Sequence, residues 1–377
     1  MKIAYCTGSI TNSGGVERVL ALKTNYLVEN GYDISIILID KNDKEPFFKF
    51  NSKIKIYRLD LDFNEHGIRK KINFARNKKL FLNKLGILLD EIKPDITIST
   101  YSKYSRYIYE LKDNSKKIVE IHFAKYKRPQ YMANLDKYAA GRFITNWYKR
   151  ADYSIVKKFD AFVVLTEEDR ALWGDLKNIH YIPNPLTFIP EKISDTSGKR
   201  VIAIGRLGKQ KRLDLLLKVW SKIAHKYPDW KLVTFGNGKI ETLKKLAKDL
   251  DISSNVEINP PTAAVDKEML KSSIYALTSR YEGFGLVITE AMSLGLPAVS
   301  FACKCGPSDI IEDGTDGFLV KPGDLDMFAK KLSVLIEDDE LRRKMGQTAA
   351  KNVLRYSEDK VMKKWTDLFD SLVKTNK

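Results

Sequence analysis

Residues 279–290 read Ser-Arg-Tyr-Glu-Gly-Phe-Gly-Leu-Val-Ile-Thr-Glu, a segment in which two carboxylates flank a turn and the start of an apolar, helix-forming run. Gly283 and Gly285 permit a tight turn with exposed backbone N–H groups. A helix that begins near Gly285 would direct its positive end at this turn, which favours a bound phosphate. Glu282 and Glu290 could then accept hydrogen bonds from hydroxyl groups on either side of the anion. The segment therefore predicts a nucleotide-sugar site; the alternative is that Glu282 caps the helix and Glu290 lies on a solvated face.

The same segment resembles the donor motif of a known family. Its residue types and spacing are similar to those of the retaining glycosyltransferases of family 4, of the bacterial type that acts in cell-surface polysaccharide assembly. In that family the first glutamate binds the transferred sugar and the second binds the nucleotide ribose. The resemblance implies an α/β chain of the GT-B fold, in which two doubly wound Rossmann-like domains face a central cleft. It also implies that the donor is bound by Glu282, Gly283, Phe284, Gly285, Leu286 and Glu290.

The composition indicates a globular protein of two domains. The chain has 377 residues, of which 44% are hydrophobic and 30% charged. Its three cysteines, Cys6, Cys303 and Cys305, cannot all pair and complete no metal-binding cluster, which favours a reducing cytoplasm. No apolar run approaches the roughly 20 residues that span a bilayer, and Ile3–Cys6 is too short for a signal peptide. We therefore expect a soluble or peripheral protein.

Runs rich in β-forming residues alternate with amphipathic stretches, the pattern of parallel α/β sheets, in which ligands bind outside the carboxyl ends of strands. The prolines of Pro183-Asn184-Pro185 and the polar stretch up to Lys199 mark a linker, after which the alternation restarts. We predict an N-terminal acceptor-side domain over residues 1–185 and a C-terminal nucleotide-sugar donor domain over 186–355. Residues 356–377 are predicted to form a helix that returns to the N-terminal domain.

A second candidate site segment follows the first predicted strand of the second half. It reads Gly205-Arg206-Leu207-Gly208-Lys209-Gln210-Lys211. Arg206 and Lys211 could reach one anion from two directions, because arginine presents a planar fork of donors and lysine a compact charge. A departing diphosphate requires such neutralisation. The segment resembles the Gly-Arg-Leu…Lys motif of the family and implies that Gly205, Arg206 and Lys211 bind the donor. One residue departs from the family pattern, since Arg212 stands where the family often has glycine. A basic turn without a ligand is the alternative.

Two features of the first half resemble family positions that face the donor. Gly14 and Gly15 lie between the first predicted strand and the first predicted helix and resemble the N-terminal Gly-Gly loop of the family; a plain strand-to-helix turn is the alternative. His122 ends the predicted strand Lys117–His122 and resembles the histidine that contacts the donor sugar near the reacting carbon. A structural role is the alternative for this histidine. The predicted catalytic residues are His122, Arg206, Lys211 and Glu282.

A further loop in the second half reads Gly306-Pro307-Ser308-Asp309 and resembles the Gly-Pro-x-Glu loop of the family, with Asp309 in place of glutamate. Gly-Pro fixes a turn, and Asp309 is predicted to cap a short helix. We expect this loop, with Gly306, Pro307 and Asp309, to contact the sugar. Its backbone N–H groups would face the sugar or the phosphate.

The positive charge of the chain is concentrated in its first half. The net charge is +17, and residues 64–158 contain 22 Lys and Arg against nine Asp and Glu. Lysine pairs at 70–71, 78–79, 116–117 and 157–158 are interleaved with Tyr and Trp. Such a surface suits an anionic membrane, a nucleic acid or an anionic substrate. We favour the membrane, because no nucleic-acid recognition motif is present; a solvated face is the alternative.

Two Asp-x-Asp triplets, at residues 60–62 and 324–326, could hold Mg²⁺ against a diphosphate. We expect neither a metal nor another cofactor. Asp324 and Asp326 would instead open a helix, where acidic side chains favour the helix dipole. Arg206 and Lys211 would neutralise the diphosphate without a metal.

These patterns and the resemblance predict a retaining, metal-independent hexosyltransferase of polysaccharide biosynthesis. It would move a hexose or N-acetylhexosamine from a nucleoside-diphosphate sugar, with UDP favoured, to a hydroxyl of a glycan or lipid-linked glycan. The expected location is the cytoplasm, peripheral at the inner face of the cell membrane. The alternatives are a GT-B epimerase or phosphorylase and an inactive nucleotide-sugar-binding partner subunit. The presence of Arg206, Lys211 and Glu282 argues against the inactive subunit.

Overall fold

The computed structural model describes residues 1–41, 44–61, 73–125 and 150–374. Over these residues short buried strands alternate with helices, which confirms the α/β class. The chain divides into two compact units, Met1–Pro185 with Asp359–Lys377, and Leu186–Glu358. Within the described part of the chain, no helix is both long enough and apolar enough to cross a bilayer.

The first unit is built on a parallel sheet of seven strands. The strands are β1 (Lys2–Thr7), β2 (Asp33–Asp40), β3 (Lys55–Leu61), β4 (Ile96–Thr100), β5 (Lys116–Glu120), β6 (Ala161–Val164) and β7 (Ile179–Tyr181). Their order is β3-β2-β1-β4-β5-β6-β7, and Ile3 of β1 pairs with Ile34 of β2 and with Ile96 of β4. The order reverses between β1 and β4, and ligands in open α/β sheets bind at such a reversal, outside the carboxyl ends of the strands.

Helices cover both faces of this sheet. Because side chains alternate along a strand, Tyr5 of β1 belongs to the apolar cluster on one face and Cys6 to the cluster on the other. The Tyr5 face packs against the first helix, Gly15–Glu29, and the C-terminal helix, Glu358–Lys374. The Cys6 face packs against the helix Phe74–Ile92. Among the described residues of this unit, the other helical segments are Ser105–Glu110, 150–156 and Glu167–Trp173.

The second unit contains a parallel sheet of six strands in the same kind of arrangement. The strands are β8 (Arg200–Ile204), β9 (Lys231–Phe235), β10 (Val256–Asn259), β11 (Ile274–Leu277), β12 (Ala298–Phe301) and β13 (Gly317–Val320). Their order is β10-β9-β8-β11-β12-β13, so this sheet reverses between β8 and β11. The helical segments are Leu213–Ser221, Ala224–Lys226, Ile240–Asp249, Ser253–Asn255, Val265–Leu270, Leu286–Ser293, Pro307–Ile310, Leu325–Glu337, Asp339–Asn352 and Val353–Tyr356.

The boundaries of elements differ from the sequence prediction where the backbone conformation changes. The pattern predicts one helix from Arg212 to His225, whereas the helix begins at Leu213 and ends at Ser221. It begins later because Arg212 has a left-handed backbone, with φ of +51°. The predicted strand Lys117–His122 ends at Glu120, so His122 lies two residues beyond it.

Candidate functional site

In the second unit, the predicted donor-binding segments lie at the point where the strand order reverses. The loop 205–212 leaves the carboxyl end of β8, and the segment 278–290 leaves the carboxyl end of β11. These two strands are neighbours in the sheet. Two segments whose residues Lys211 and Glu282 are 71 positions apart in sequence are thereby brought to one edge, as expected for a ligand site in this kind of sheet.

The loop after β8 depends on Gly205. This residue has φ of +144°, a conformation that favours glycine, and a Cβ atom there would lie 2.7 Å from Cε of Lys211. The side chain of Lys211 therefore runs directly across the Cα of Gly205. The backbone N–H of Leu207 donates to the carbonyl of Asn237 at 2.7 Å, which ties the loop to the segment after β9.

Arg212 is the residue that departs from the resemblance, and its backbone conformation is one that favours glycine. Its left-handed backbone costs a residue with a side chain roughly 1 kcal/mol. Its guanidinium forms a hydrogen bond of 2.9 Å with Asp214, and this bond and the charge of Asp214 raise the pKa of Arg212 despite partial burial. Arg212 is thereby engaged with Asp214 at the start of the helix, and Lys211 remains in the loop.

Lys211 and Glu282 form an ion pair that joins the two loops. Nζ of Lys211 lies 2.9 Å from Oε1 of Glu282, and the two side chains are only 14% and 7% exposed. The backbone holds this pair in place, since Arg280 N–H donates to the carbonyl of Gln210 and the side chain of Gln210 donates to the carbonyl of Tyr281. Two of the predicted catalytic residues are therefore in direct contact. Arg206 lies in the same loop and is exposed.

Glu290 lies inside the helix Leu286–Ser293 and is buried. Its Oε1 accepts a hydrogen bond of 2.7 Å from the hydroxyl of Thr187. Burial, and then the charges of Glu282 and Glu290, raise the pKa of Tyr275 well above its ordinary value. The charges of both glutamates of the motif therefore reach Tyr275.

The turn between the two glutamates is held by glycines. Gly285 precedes the helix with φ of +111°. Leu286, partly exposed, is the first residue of this helix, and Gly283 lies in the turn itself. The ring of Phe284 is buried and packs edge-on against Tyr356 at 5.3 Å between ring centroids, so this side chain belongs to the core of the unit.

The loop at 306–309 packs against the same turn. A Cβ atom on Gly306 would lie 1.9 Å from the carbonyl oxygen of Phe284, so only glycine fits at this contact. The prediction that Asp309 caps a helix is wrong, because the helix begins at Pro307 and Gly306 occupies the cap position. Asp309 lies in the first turn, where a carboxylate favours the helix dipole.

In the first unit, the predicted residues lie beyond the carboxyl ends of β1 and β5. Gly14 precedes the first helix in an extended conformation, and Gly15 is the first residue of that helix. His122 is 9% exposed, and its Nε2 lies 3.2 Å from Oε1 of Glu120.

Asp324 accepts a hydrogen bond from the N–H of Met327 and caps the helix Leu325–Glu337, as predicted. Asp326 forms an ion pair of 2.7 Å with Lys222. The other triplet includes Asp62, which lies outside the described residues. In the described part of the chain, no three His, Cys, Asp or Glu side chains are grouped as a metal site.

Sequence reasoning missed Thr187, Lys23 and Glu120. Thr187 was not found because nothing in the motif indicates that a residue 103 positions away binds Glu290. A signal for the other two was present. Lys23 stands three residues after Leu20 and four before Leu27, and therefore on the apolar face of its helix. Glu120 precedes His122 by two residues, and therefore lies on the same face of the extended chain.

Comparisons with known proteins agree with this architecture. Residues 187–352 match the family described as Glycosyl transferases group 1. The chain is 33% identical over 371 residues to an uncharacterized glycosyltransferase of Haemophilus influenzae, covering 97% of this chain and 98% of that protein. It is 28% identical over 382 residues to the amylovoran biosynthesis glycosyltransferase AmsD of Erwinia amylovora, covering 98% and 99% of the two chains.

Among solved structures, a mutant of S. aureus TarM in complex with Fondaparinux, α-GlcNAc-glycerol and UDP matches with a TM-score of 0.76. The identity is 18%, and the match covers 98% of this chain and 99% of that chain. This likeness extends over both units and shows that the fold is GT-B. With the relative from Haemophilus influenzae, it follows that the chain belongs to the glycosyl transferases of group 1.

Proposed function

We propose that this protein is a retaining, metal-independent hexosyltransferase. It transfers a hexose or N-acetylhexosamine from a UDP-sugar to a hydroxyl group of a glycan or lipid-linked glycan during polysaccharide biosynthesis. The observation that carries the proposal is the contact of 2.9 Å between Lys211 and Glu282, which unites the loops after β8 and β11 where their strand order reverses. A cation that suits a phosphate and a carboxylate that suits a sugar hydroxyl are thereby adjacent.

Each donor residue has a role that follows from its chemistry. Glu282 accepts hydrogen bonds from the transferred sugar, and Glu290, held by Thr187, accepts hydrogen bonds from the ribose. When the donor binds, the interaction of Lys211 with Glu282 weakens and Lys211 gains an interaction with the diphosphate. Arg206, which is exposed in the same loop, supplies the second cation.

Charge on the diphosphate grows as the bond between the sugar C1 and the phosphate oxygen breaks. Arg206 and Lys211 stabilise this charge, and such fixed donors stabilise a transition state more than a ground state. The acceptor oxygen forms the new bond to C1 on the same face, and its proton passes to the departing phosphate oxygen. The anomeric configuration of the sugar is therefore retained. His122 contacts the sugar near the reacting carbon.

The choice of donor and acceptor is supported by the relatives. AmsD acts in amylovoran biosynthesis, and the TarM mutant was solved with UDP and α-GlcNAc-glycerol. The same ligand classes suit a site with paired cations beside paired carboxylates.

A panel of UDP-, GDP- and ADP-sugars, incubated with lipid-linked glycans, tests the function through nucleotide release. We expect release from a UDP-sugar that requires the acceptor and continues in EDTA, because the two cations take the place of a metal. If chelation stops the release and Mg²⁺ or Mn²⁺ restores it, metal independence is wrong. Conversion of the donor to another nucleotide-sugar without an acceptor would indicate an epimerase.

We also propose that the basic first unit docks on anionic membranes, and the helix Phe74–Ile92 offers a suitable face. Arg76, Leu80 and Ile87 follow one another at helical spacing and are exposed, Ile87 to 72%, with Lys79 beside them. Lys78 is engaged elsewhere, since its Nζ lies 2.6 Å from Glu110. The lysines at 70 and 71 lie outside the described residues, as do 126–149.

Replacing Arg76 and Lys79 with glutamate is expected to weaken binding to anionic vesicles at least tenfold near 0.1 M salt, because each basic side chain contributes about 1 kcal/mol at such a surface. Vesicle flotation measures this effect. The matched control reverses Lys245 and Lys248, which are exposed on a helix of the second unit. Equal loss in both variants, or equal binding of the wild type to neutral vesicles, would contradict docking through this helix.

A further inference from the structure

A buried chain of charged side chains lies behind His122 in the first unit. Lys23, Glu120 and His122 come from the first helix, from the end of β5 and from the residues that follow it. Lys23 and Glu120 are both 2% exposed. Burial of two charges carries a desolvation penalty that can exceed their mutual attraction, so a buried pair by itself is weak evidence for a purely stabilising role.

The two oxygens of Glu120 have different partners. Oε2 lies 2.5 Å from Nζ of Lys23, and Oε1 lies 3.2 Å from Nε2 of His122. One carboxylate therefore connects a helix to the segment that carries His122. The contact with Glu120 uses one of the two ring nitrogens of His122, Nε2.

Two aromatic rings also lie close to the ammonium group of Lys23. Its Nζ lies 3.7 Å from the ring centroid of Trp365, on the C-terminal helix, and 5.4 Å from that of Tyr5. Aromatic faces attract a cation, so the two rings stabilise the charge of Lys23 together with Glu120.

The electrostatics of Glu120 agree with this geometry. Burial alone would raise the pKa of Glu120, but the charges of Lys23 and His122 and their hydrogen bonds lower it to about 2. Glu120 is therefore ionised at neutral pH and acts only as an acceptor.

We propose that Glu120 and Lys23 are positioning residues for His122: Glu120 accepts the Nε2–H and fixes the ring and its tautomer, and Lys23 compensates the charge of Glu120. The role in catalysis rests on the proposed function, in which His122 contacts the donor sugar. A fixed ring presents Nδ1 in one direction, whereas a ring without this anchor rotates and exchanges tautomers. The C-terminal helix takes part through Trp365.

Nitrogen NMR of the histidine rings tests the positioning without any assay of activity. The chain has only four histidines, so ¹⁵N-histidine labelling gives a simple spectrum that substitution of His122 assigns. We expect the wild type to show His122 as a single tautomer protonated at Nε2.

The informative variants replace Lys23 and Glu120 together, so that neither residue leaves an unpaired charge in the core. Lys23→Met/Glu120→Leu removes the acceptor and both charges, and we expect mixed tautomers at His122 and a fall in kcat of at least tenfold. Lys23→Met/Glu120→Gln retains an acceptor oxygen, and we expect the wild-type tautomer and most of the activity. Exchange of a buried ion pair for groups of similar size is compatible with folding.

A second buried ion pair of this unit gives the matched control. Nζ of Lys117 lies 2.5 Å from Asp113, and both side chains are 6% exposed. Lys117→Met/Asp113→Asn should leave the His122 signals and kcat unchanged.

The outcomes separate the two proposals. An unchanged His122 spectrum in the folded leucine variant would overturn the positioning role. A change in the His122 tautomer with unchanged kcat would support the anchor, and would contradict the contact of His122 with the sugar.

Discussion

Replacing Arg206 or Lys211 with alanine is expected to lower kcat by roughly a hundredfold or more, with the fold retained. Loss of one donor at a site of growing negative charge costs about 3 kcal/mol in comparable enzymes. Arg206 is exposed and makes no ion pair within the described part of the chain, so its removal leaves the core intact. Lys211 contacts Glu282, so the removal of Lys211 also affects the carboxylate that we propose binds the sugar.

Steady-state kinetics with Lys209→Ala as the control distinguishes a specific role from the general charge of the loop. Lys209 lies in the same loop and is exposed, and its variant should keep nearly normal kcat. Circular dichroism checks folding. Activity within threefold of the wild type in both the Arg206 and Lys211 variants would contradict the assignment of the diphosphate site.

The Lys23→Met substitution is expected to destabilise the first unit by about 3–5 kcal/mol, because it leaves Glu120 charged and buried without its partner. The double variant Lys23→Met/Glu120→Gln should recover most of this loss. Native-state hydrogen exchange of the amides in the helix Gly15–Glu29 measures the free energy of opening. Lys363→Met, which breaks an exposed pair with Asp367, is the control and should cost less than about 1 kcal/mol.

In the acid range, the contribution of the Glu120 carboxylate to stability has a definite sign. The pKa of Glu120 is about 2 in the folded unit, below the ordinary value of 4.5. Its contribution to stability is therefore complete above pH 4.5 and is lost as the pH falls through about 2. The wild type should approach the stability of the double variant over this window. Equal costs for Lys23→Met and Lys363→Met, or parallel acid profiles, would show that the buried pair does not stabilise the unit.

Local sequence signals predicted the parts of the structure that depend on neighbouring residues. The predicted strand Lys117–His122 and the glycines beside Glu282 each depend on a few positions, and the strand β5 and the left-handed Gly285 follow the pattern. The Gly-Arg…Lys segment also indicated a loop that presents cations. The motif resemblance supplied the fold family and the choice of glutamates.

The contacts that build the site could not be read in the same way. Lys23 and Glu120 are separated by 97 residues, and Lys211 and Glu282 by 71, so only the order of the strands brings them together. Asp309 fits the composition of a helix cap, but Gly306 takes that place because its Cα packs on the carbonyl of Phe284. Tertiary contacts decided these cases against local preference.

The central claim is that the loops joined by Lys211 and Glu282 bind a UDP-sugar for transfer with retention. Proton NMR of one reaction, containing a UDP-α-sugar and a lipid-linked glycan acceptor, tests it most directly. We predict that UDP and a new α-linked sugar appear at equal rates, and that both are reduced about a hundredfold in the Lys211→Ala variant. A β-linked product, or equal UDP release by the wild type and the variant, would contradict the account.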